Sequence, residues 1–104
     1  MARGEVCENR GRGAKAAPYL LDLQADVLSG LTTRVAAPVL PARQVPTGLA
    51  RLHLPIEIDG EAHLAAVHLL AAVPRAELGR VRATLDDRYH EVMNDAIDLL
   101  FAGI

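Results

Sequence analysis

The Asp59-Gly60 pair constrains the fold of this chain more than any other feature. It separates two runs in which apolar and polar residues alternate, within LHLPIEIDGEAHLAAV at residues 52–67. The pattern predicts two antiparallel strands joined by a type I′ turn, because Asp-Gly adopts the positive φ angles that this turn needs. With Ile58 opposite Glu61, alternate side chains share one face, which should line a core. That face carries Leu52, Leu54, Ile56, Ile58, His63, Ala65 and Val67.

Further short strands are predicted on both sides of this hairpin. Residues 8–18 are rich in Gly and charge, and they read as a loop between a short first strand and a second strand that starts near Tyr19. Residues 34–40 form a third strand, in which Pro38 favours an edge position or a bulge because proline has no N–H to donate. Residues 69–79 contain a proline break, which indicates a short strand or turn leading into a connector.

The end of the chain has a helical pattern. Asp86 or Asp87 can cap the helix by accepting amide hydrogen bonds, and Gly103 suits its C-terminal cap. The apolar stripe recurs at three- and four-residue spacing and should pack on the sheet, together with Phe101. Its members are Tyr89, Val92, Met93, Ala96, Ile97, Leu100 and Ile104. We therefore expect a single α+β domain over residues 1–104, with a small antiparallel sheet or barrel of about five strands closed by a C-terminal helix.

Composition excludes several classes of function. Of 104 residues 51% are hydrophobic, which suits one compact domain, and pairing with a second copy would bury further apolar surface. A net charge of −2 without a Lys/Arg-rich run disfavours direct binding of nucleic acid. No stretch has the roughly 20 apolar residues of a membrane helix, and a signal peptide is not apparent. The single cysteine, Cys7, fits a reducing cytoplasm, where we expect the protein to reside.

The residues that usually carry catalysis are not arranged for it. Ser29 is the single serine and lacks the glycine pattern of a hydrolase, and Cys7 has no neighbouring base. His53, His68 and Glu57 share one hairpin face, but two imidazoles fall short of the three or four ligands that a metal site needs. We therefore expect ordinary surface histidines, no catalytic residue, no metal and no cofactor.

Four segments, in this order along the chain, carry a resemblance to a known family. They are YLLDLQADVL at residues 19–28, RVAAPVLPA at 34–42, EIDGEAHLAAVHLLAAVPRAELG at 57–79 and AIDLLFAGI at 96–104. The chain resembles the CcdB toxins from Tyr19 onward. The resemblance implies an SH3-like β-barrel or sheet, a homodimer, and a toxin of a type II toxin–antitoxin module. It also implies binding to the DNA gyrase A subunit, trapping of its covalent complex with cut DNA, and neutralisation by a CcdA-like antitoxin.

The resemblance also implies which residues bind. The apolar pair after the second strand falls on Val27 and Leu28, and a contact residue at the helix end falls on Asp98. The terminal triplet of the family falls on Ala102, Gly103 and Ile104. Arg34 matches a basic position before the third strand and is expected to hold an acidic antitoxin segment.

Two alternatives remain open. Ala102 stands where the plasmid-borne toxin has Trp, and losing a buried aromatic anchor can weaken an interface by about 2 kcal/mol or more. This substitution favours a homologue that binds antitoxin without poisoning gyrase. The other alternative is an endoribonuclease toxin of the MazF or Kid type, which shares the fold but needs a basic groove with an acid–base pair.

Overall fold

The computed structural model describes residues 2–45 and 50–103. Within them, seven strands form one antiparallel sheet, and one α-helix follows. The strands are β1 (Glu5–Asn9), β2 (Tyr19–Asp22), β3 (Thr33–Pro41), β4 (His53–Ile58), β5 (Glu61–Ala66), β6 (Ala71–Pro74) and β7 (Leu78–Thr84), and the helix is α1 (Asp87–Ala102). The expected α+β architecture is confirmed, with more strands than the sequence pattern indicates.

The sheet has the order β4-β5-β3-β2-β1-β7, and β6 pairs with the first half of β3. It curls so strongly that its two ends meet: Arg82 of β7 forms an ion pair with Asp59 in the β4–β5 turn. The result is a half-barrel whose concave side faces α1. Met93 and Ala96 of α1 are buried there against the inward face of the strands.

The predicted hairpin is confirmed. Ile58 lies opposite Glu61, and both Asp59 and Gly60 have positive φ angles, 52° and 78°, as a type I′ turn requires. The inward face holds buried Leu54, Ile56, Ile58, His63, Ala65 and Val67.

The edge position expected for Pro38 is wrong, because β3 lies in the middle of the sheet. Pro38 pairs with Leu20 of β2 on one side. On the other side β6 pairs with β3 as far as Ala36, and β5 pairs with it from Val39. Pro38 therefore lies at the junction between these two strands, a position that tolerates the missing N–H donor.

The helix begins and ends where the sequence predicts. The Asp86 side chain accepts a hydrogen bond from the Arg88 N–H, and Gly103 closes the helix in a left-handed conformation, with its N–H donated to the Leu99 carbonyl. The packing stripe is narrower than expected, since Val92 is 46% and Phe101 is 73% exposed. The expectation that these two side chains pack on the sheet is therefore wrong. The sheet curls around Met93 and Ala96, and it does not reach the flanks of the helix.

Candidate binding surface

The presenting loop, residues 25–31, holds apolar side chains out into solvent. Val27 is 89% exposed, Leu28 is 48% exposed, and Leu31 is also exposed. Exposed apolar side chains placed together on one loop are typical of an interaction site. Val27 and Leu28 thus lie in an exposed turn after β2, the place in the chain that the resemblance implies.

A buried polar network holds this loop from the inside. The Gln24 amide nitrogen donates to the carbonyls of Leu28 and Thr33, at 3.2 Å each, and its oxygen accepts the Val35 N–H at 3.0 Å. All three polar contacts of the Gln24 side chain are with backbone groups, and they join the middle of the loop to the start of β3. On the outer side, Arg75 donates to the Ser29 carbonyl.

Beneath Gln24 lies a fully buried ion pair. The Arg34 Nη2 atom is 2.7 Å from the Asp22 Oδ2 atom, and neither side chain is exposed. The other Asp22 oxygen accepts the Gln24 N–H at 3.0 Å. Burial raises the pKa of Asp22, although the hydrogen bonds from Arg34 and Gln24 act in the opposite direction. Arg34 was expected at a surface that holds an antitoxin, but its guanidinium supports the base of the presenting loop instead of facing solvent.

The second part of the surface is the helix stripe, which we define as Asn94, Asp98 and Ala102. Residues four apart lie on the same side of a helix, and all three side chains are exposed. The last turn of α1 carries no basic side chain, so Asp98 and the free carbonyls make this end electronegative. Phe101 is exposed next to Ala102, and Gly103 follows. Ile104 lies outside the described residues.

Arg3 connects the presenting loop to the helix stripe. Its backbone N–H donates to the Asp26 Oδ1 atom at 2.8 Å, its Nε atom donates to the Leu23 carbonyl at 3.1 Å, and its Nη2 atom donates to the Asn94 side-chain oxygen. Arg3 therefore joins the loop that carries Val27 and Leu28 to the helix that carries Asp98 and Ala102. Sequence reasoning misses Arg3 because its partners lie 23 and 91 residues away along the chain.

His53, His68 and Cys7 lie outside the presenting loop and the helix stripe. The His53 and His68 rings are 5.4 Å apart, but His53 is buried, so the expectation of two surface histidines is wrong for His53. Burial lowers the pKa of His53, and the neighbouring His68 adds to this effect. Burial raises the pKa of the Cys7 thiol to about 11, which disfavours a nucleophilic thiolate.

The described residues show neither a metal site nor a membrane-spanning helix. No group of three His, Cys, Asp or Glu side chains in ranges 2–45 and 50–103 is arranged to hold a metal ion. The helix that the structure describes is too short and too polar to cross a bilayer.

Solved structures share this fold. The "Mycobacterium tuberculosis toxin MazF-mt6" superimposes with a TM-score of 0.75 at 20% identity, covering 93% of this chain and 95% of that one. An "endoribonuclease in complex with its cognate antitoxin from Mycobacterial species" superimposes with a TM-score of 0.74 at 14% identity, covering 96% and 93%. No curated protein matches the sequence. The half-barrel with its terminal helix is thus a fold found in small bacterial toxins.

Sequence similarity assigns the chain to one family among the proteins that share this fold. A family model described as "CcdB protein" matches residues 4–103, so the chain belongs to the CcdB family. This membership supports a toxin of a type II toxin–antitoxin module.

Proposed function

We propose that the chain is a CcdB-type toxin that binds the DNA gyrase A subunit and traps its covalent cleavage complex with DNA. Family membership supports the proposal. The observation that carries it is the exposure of Val27 and Leu28 on a firmly held loop beside the helix stripe. The protein acts by binding, with no catalytic residue of its own. The proposed gyrase contacts are Val27, Leu28, Asp98, Ala102, Gly103 and Ile104.

Phe101 is an aromatic residue next to Ala102, which stands where the plasmid-borne toxin has Trp. Ala102 offers little area for a partner, but the neighbouring Phe101 ring is 73% exposed. A few residues provide most of the binding energy at many interfaces, and aromatic side chains are common among them. We infer that Phe101 supplies the aromatic contact at this end of the helix.

Two further partners belong to the proposal. A second copy of the chain would form a homodimer and present two helix ends around a two-fold axis, which matches the symmetry of a gyrase A dimer. A CcdA-like antitoxin would neutralise the toxin, and the antitoxin complex among the structural neighbours supports this partner. Because Arg34 is buried, its proposed effect on antitoxin binding is indirect, through the presenting loop.

Growth of bacteria tests the proposal in cells. We expect expression of the chain to stop growth of a host with wild-type gyrase A, and a host with a CcdB-resistant gyrase A allele to grow normally. Val27→Asp should abolish toxicity in the first host. Harmlessness of the wild-type chain in both hosts, with the protein present at equal amounts, would favour a homologue that binds only antitoxin.

The fold similarity to an endoribonuclease supports a second candidate function. In the structure the guanidinium of Arg82 is already paired with Glu8 and Asp59. A paired guanidinium is less available to a phosphate, which counts against cleavage of RNA here. Incubation of the purified protein with RNA decides the matter, because site-specific fragments would replace the gyrase proposal.

A further inference from the structure

Arg3 occupies a position at which three parts of the molecule meet. Its backbone N–H holds Asp26 in the presenting loop, and its guanidinium holds the Leu23 carbonyl and Asn94 of α1. Asp26 immediately precedes Val27, and Asn94 is one turn before Asp98 on the helix stripe. A single residue therefore contacts both halves of the candidate surface.

Among the residues that the structure describes, the other hydrogen bonds of the loop stay within it or join it to residues that flank the strands. Gln24 ties the loop to the backbone at Leu28, Thr33 and Val35, and Arg75 ties Ser29 to the end of β6. The helix is held separately by Met93 and Ala96 in the core. These contacts fix each part to the sheet, whereas Arg3 fixes the loop and the helix relative to each other.

The geometry points to Arg3 as a positioning residue that sets the spacing between the presenting loop and the helix stripe for a partner that contacts both. This inference rests on the proposed function for the identity of that partner, the gyrase A subunit. A surface that is held in its bound arrangement loses less conformational freedom on binding, which slows dissociation. Arg3 itself does not need to contact gyrase.

Amide hydrogen exchange tests the connection without gyrase. The Leu28 and Ser29 N–H groups donate to the Ala25 and Asp26 carbonyls within the loop. Arg3→Ala removes the guanidinium hydrogen bonds to the Leu23 carbonyl and to Asn94 and keeps the backbone N–H bond to Asp26, so the loop loses its connection to the helix. We expect exchange of the two loop amides to be about fivefold faster, the effect of one net hydrogen bond, with the amides around Met93 unchanged. Arg43→Ala is the matched control, because it removes an exposed guanidinium paired with Glu61 away from both elements. Equal exchange in Arg3→Ala and wild type would overturn the inference.

A double-mutant cycle tests the consequence for binding to purified gyrase A subunit. Asp26→Ala removes the loop end of the connection, and Asn94→Ala removes the helix end. Because Asp26 and Asn94 are joined through Arg3, each single variant should weaken binding about fivefold, and the double variant should be no weaker than either. Multiplied effects in the double variant would contradict a shared connection.

The two experiments separate the inference from the proposed function. If the wild-type chain does not bind gyrase A, the proposed function fails, whereas hydrogen exchange still decides whether Arg3 couples the loop to the helix. If gyrase binds and exchange at Leu28 and Ser29 does not respond to Arg3→Ala, the proposed function stands and the role of Arg3 is overturned.

Discussion

At the scale of single residues, the buried ion pair of Asp22 and Arg34 supports the loop that carries the candidate surface. Taking both groups out of water is costly, and their 2.7 Å contact offsets that cost only while both are present. The pair lies under Gln24, whose side chain holds the presenting loop. The buried charges thus help to hold the presenting loop, whose exposed side chains are mostly apolar.

Removal of one partner should therefore be harmful. In Arg34→Met the Asp22 carboxylate stays buried without its cation, and we expect the free energy of unfolding to fall by about 3–5 kcal/mol. The double variant Asp22→Asn/Arg34→Met should recover most of this loss, because Asn can still accept the Gln24 N–H. Urea denaturation measures both changes, and equal losses in the two variants would contradict this account.

His53 predicts a pH dependence of stability. Its pKa in the folded protein lies below the ordinary value of 6.5, because burial and the adjacent His68 disfavour the charged ring. As the pH falls below 6.5, the unfolded chain binds a proton at this residue before the folded one does, so stability falls. Thermal unfolding between pH 7.5 and 5 should show this fall, and His53→Gln should reduce it. An unchanged pH slope in that variant would assign the effect to other groups.

At the scale of elements, the positions of the β4–β5 turn and of the ends of α1 are determined by the local sequence. The turn angles at Asp59 and Gly60 and the caps at Asp86 and Gly103 are set by neighbouring residues, so the sequence predicts these elements well. The placement of Pro38 and Phe101 depends on how the sheet curls and where it meets the helix. Those are tertiary properties, and they account for both errors.

Gly60→Ala tests the hairpin turn. Its φ of 78° is unfavourable for a residue with a side chain, and no atom lies within 4 Å of an added Cβ. The variant should lose about 1–2 kcal/mol of stability through backbone strain alone. Gly30→Ala is the matched control, because its surroundings are equally open and its φ is not in the left-handed region. Similar losses at both positions, measured by urea denaturation, would exclude this explanation.

The candidate surface could be predicted only in part. The exposure of Val27, Leu28 and Asp98 agrees with the expected positions. The burial of Arg34 and the bridging position of Arg3 could not be predicted, because each depends on partners from distant segments. A charged residue gives no sequence signal that distinguishes an internal ion pair from a surface contact.

At the scale of the whole molecule, a curled sheet closed by a helix brings two distant segments to one surface. The loop after β2 and Asn94 of α1 are more than 60 residues apart in sequence, yet Arg3 hydrogen bonds to both. Family membership supports a toxin, and the near-neutral charge favours a protein partner over nucleic acid. We therefore propose that the chain acts by binding a protein partner, without catalysis.

A cleavage assay with purified gyrase and plasmid DNA tests that claim most directly, since trapped complexes release linear DNA after detergent and protease. We expect the wild-type chain to raise the linear fraction strongly and Val27→Asp to abolish the effect. Val92→Asp should behave as wild type, because this exposed valine lies about 200° around α1 from Asn94. No linear DNA with the folded wild-type chain, or equal activity in Val27→Asp, would contradict the account.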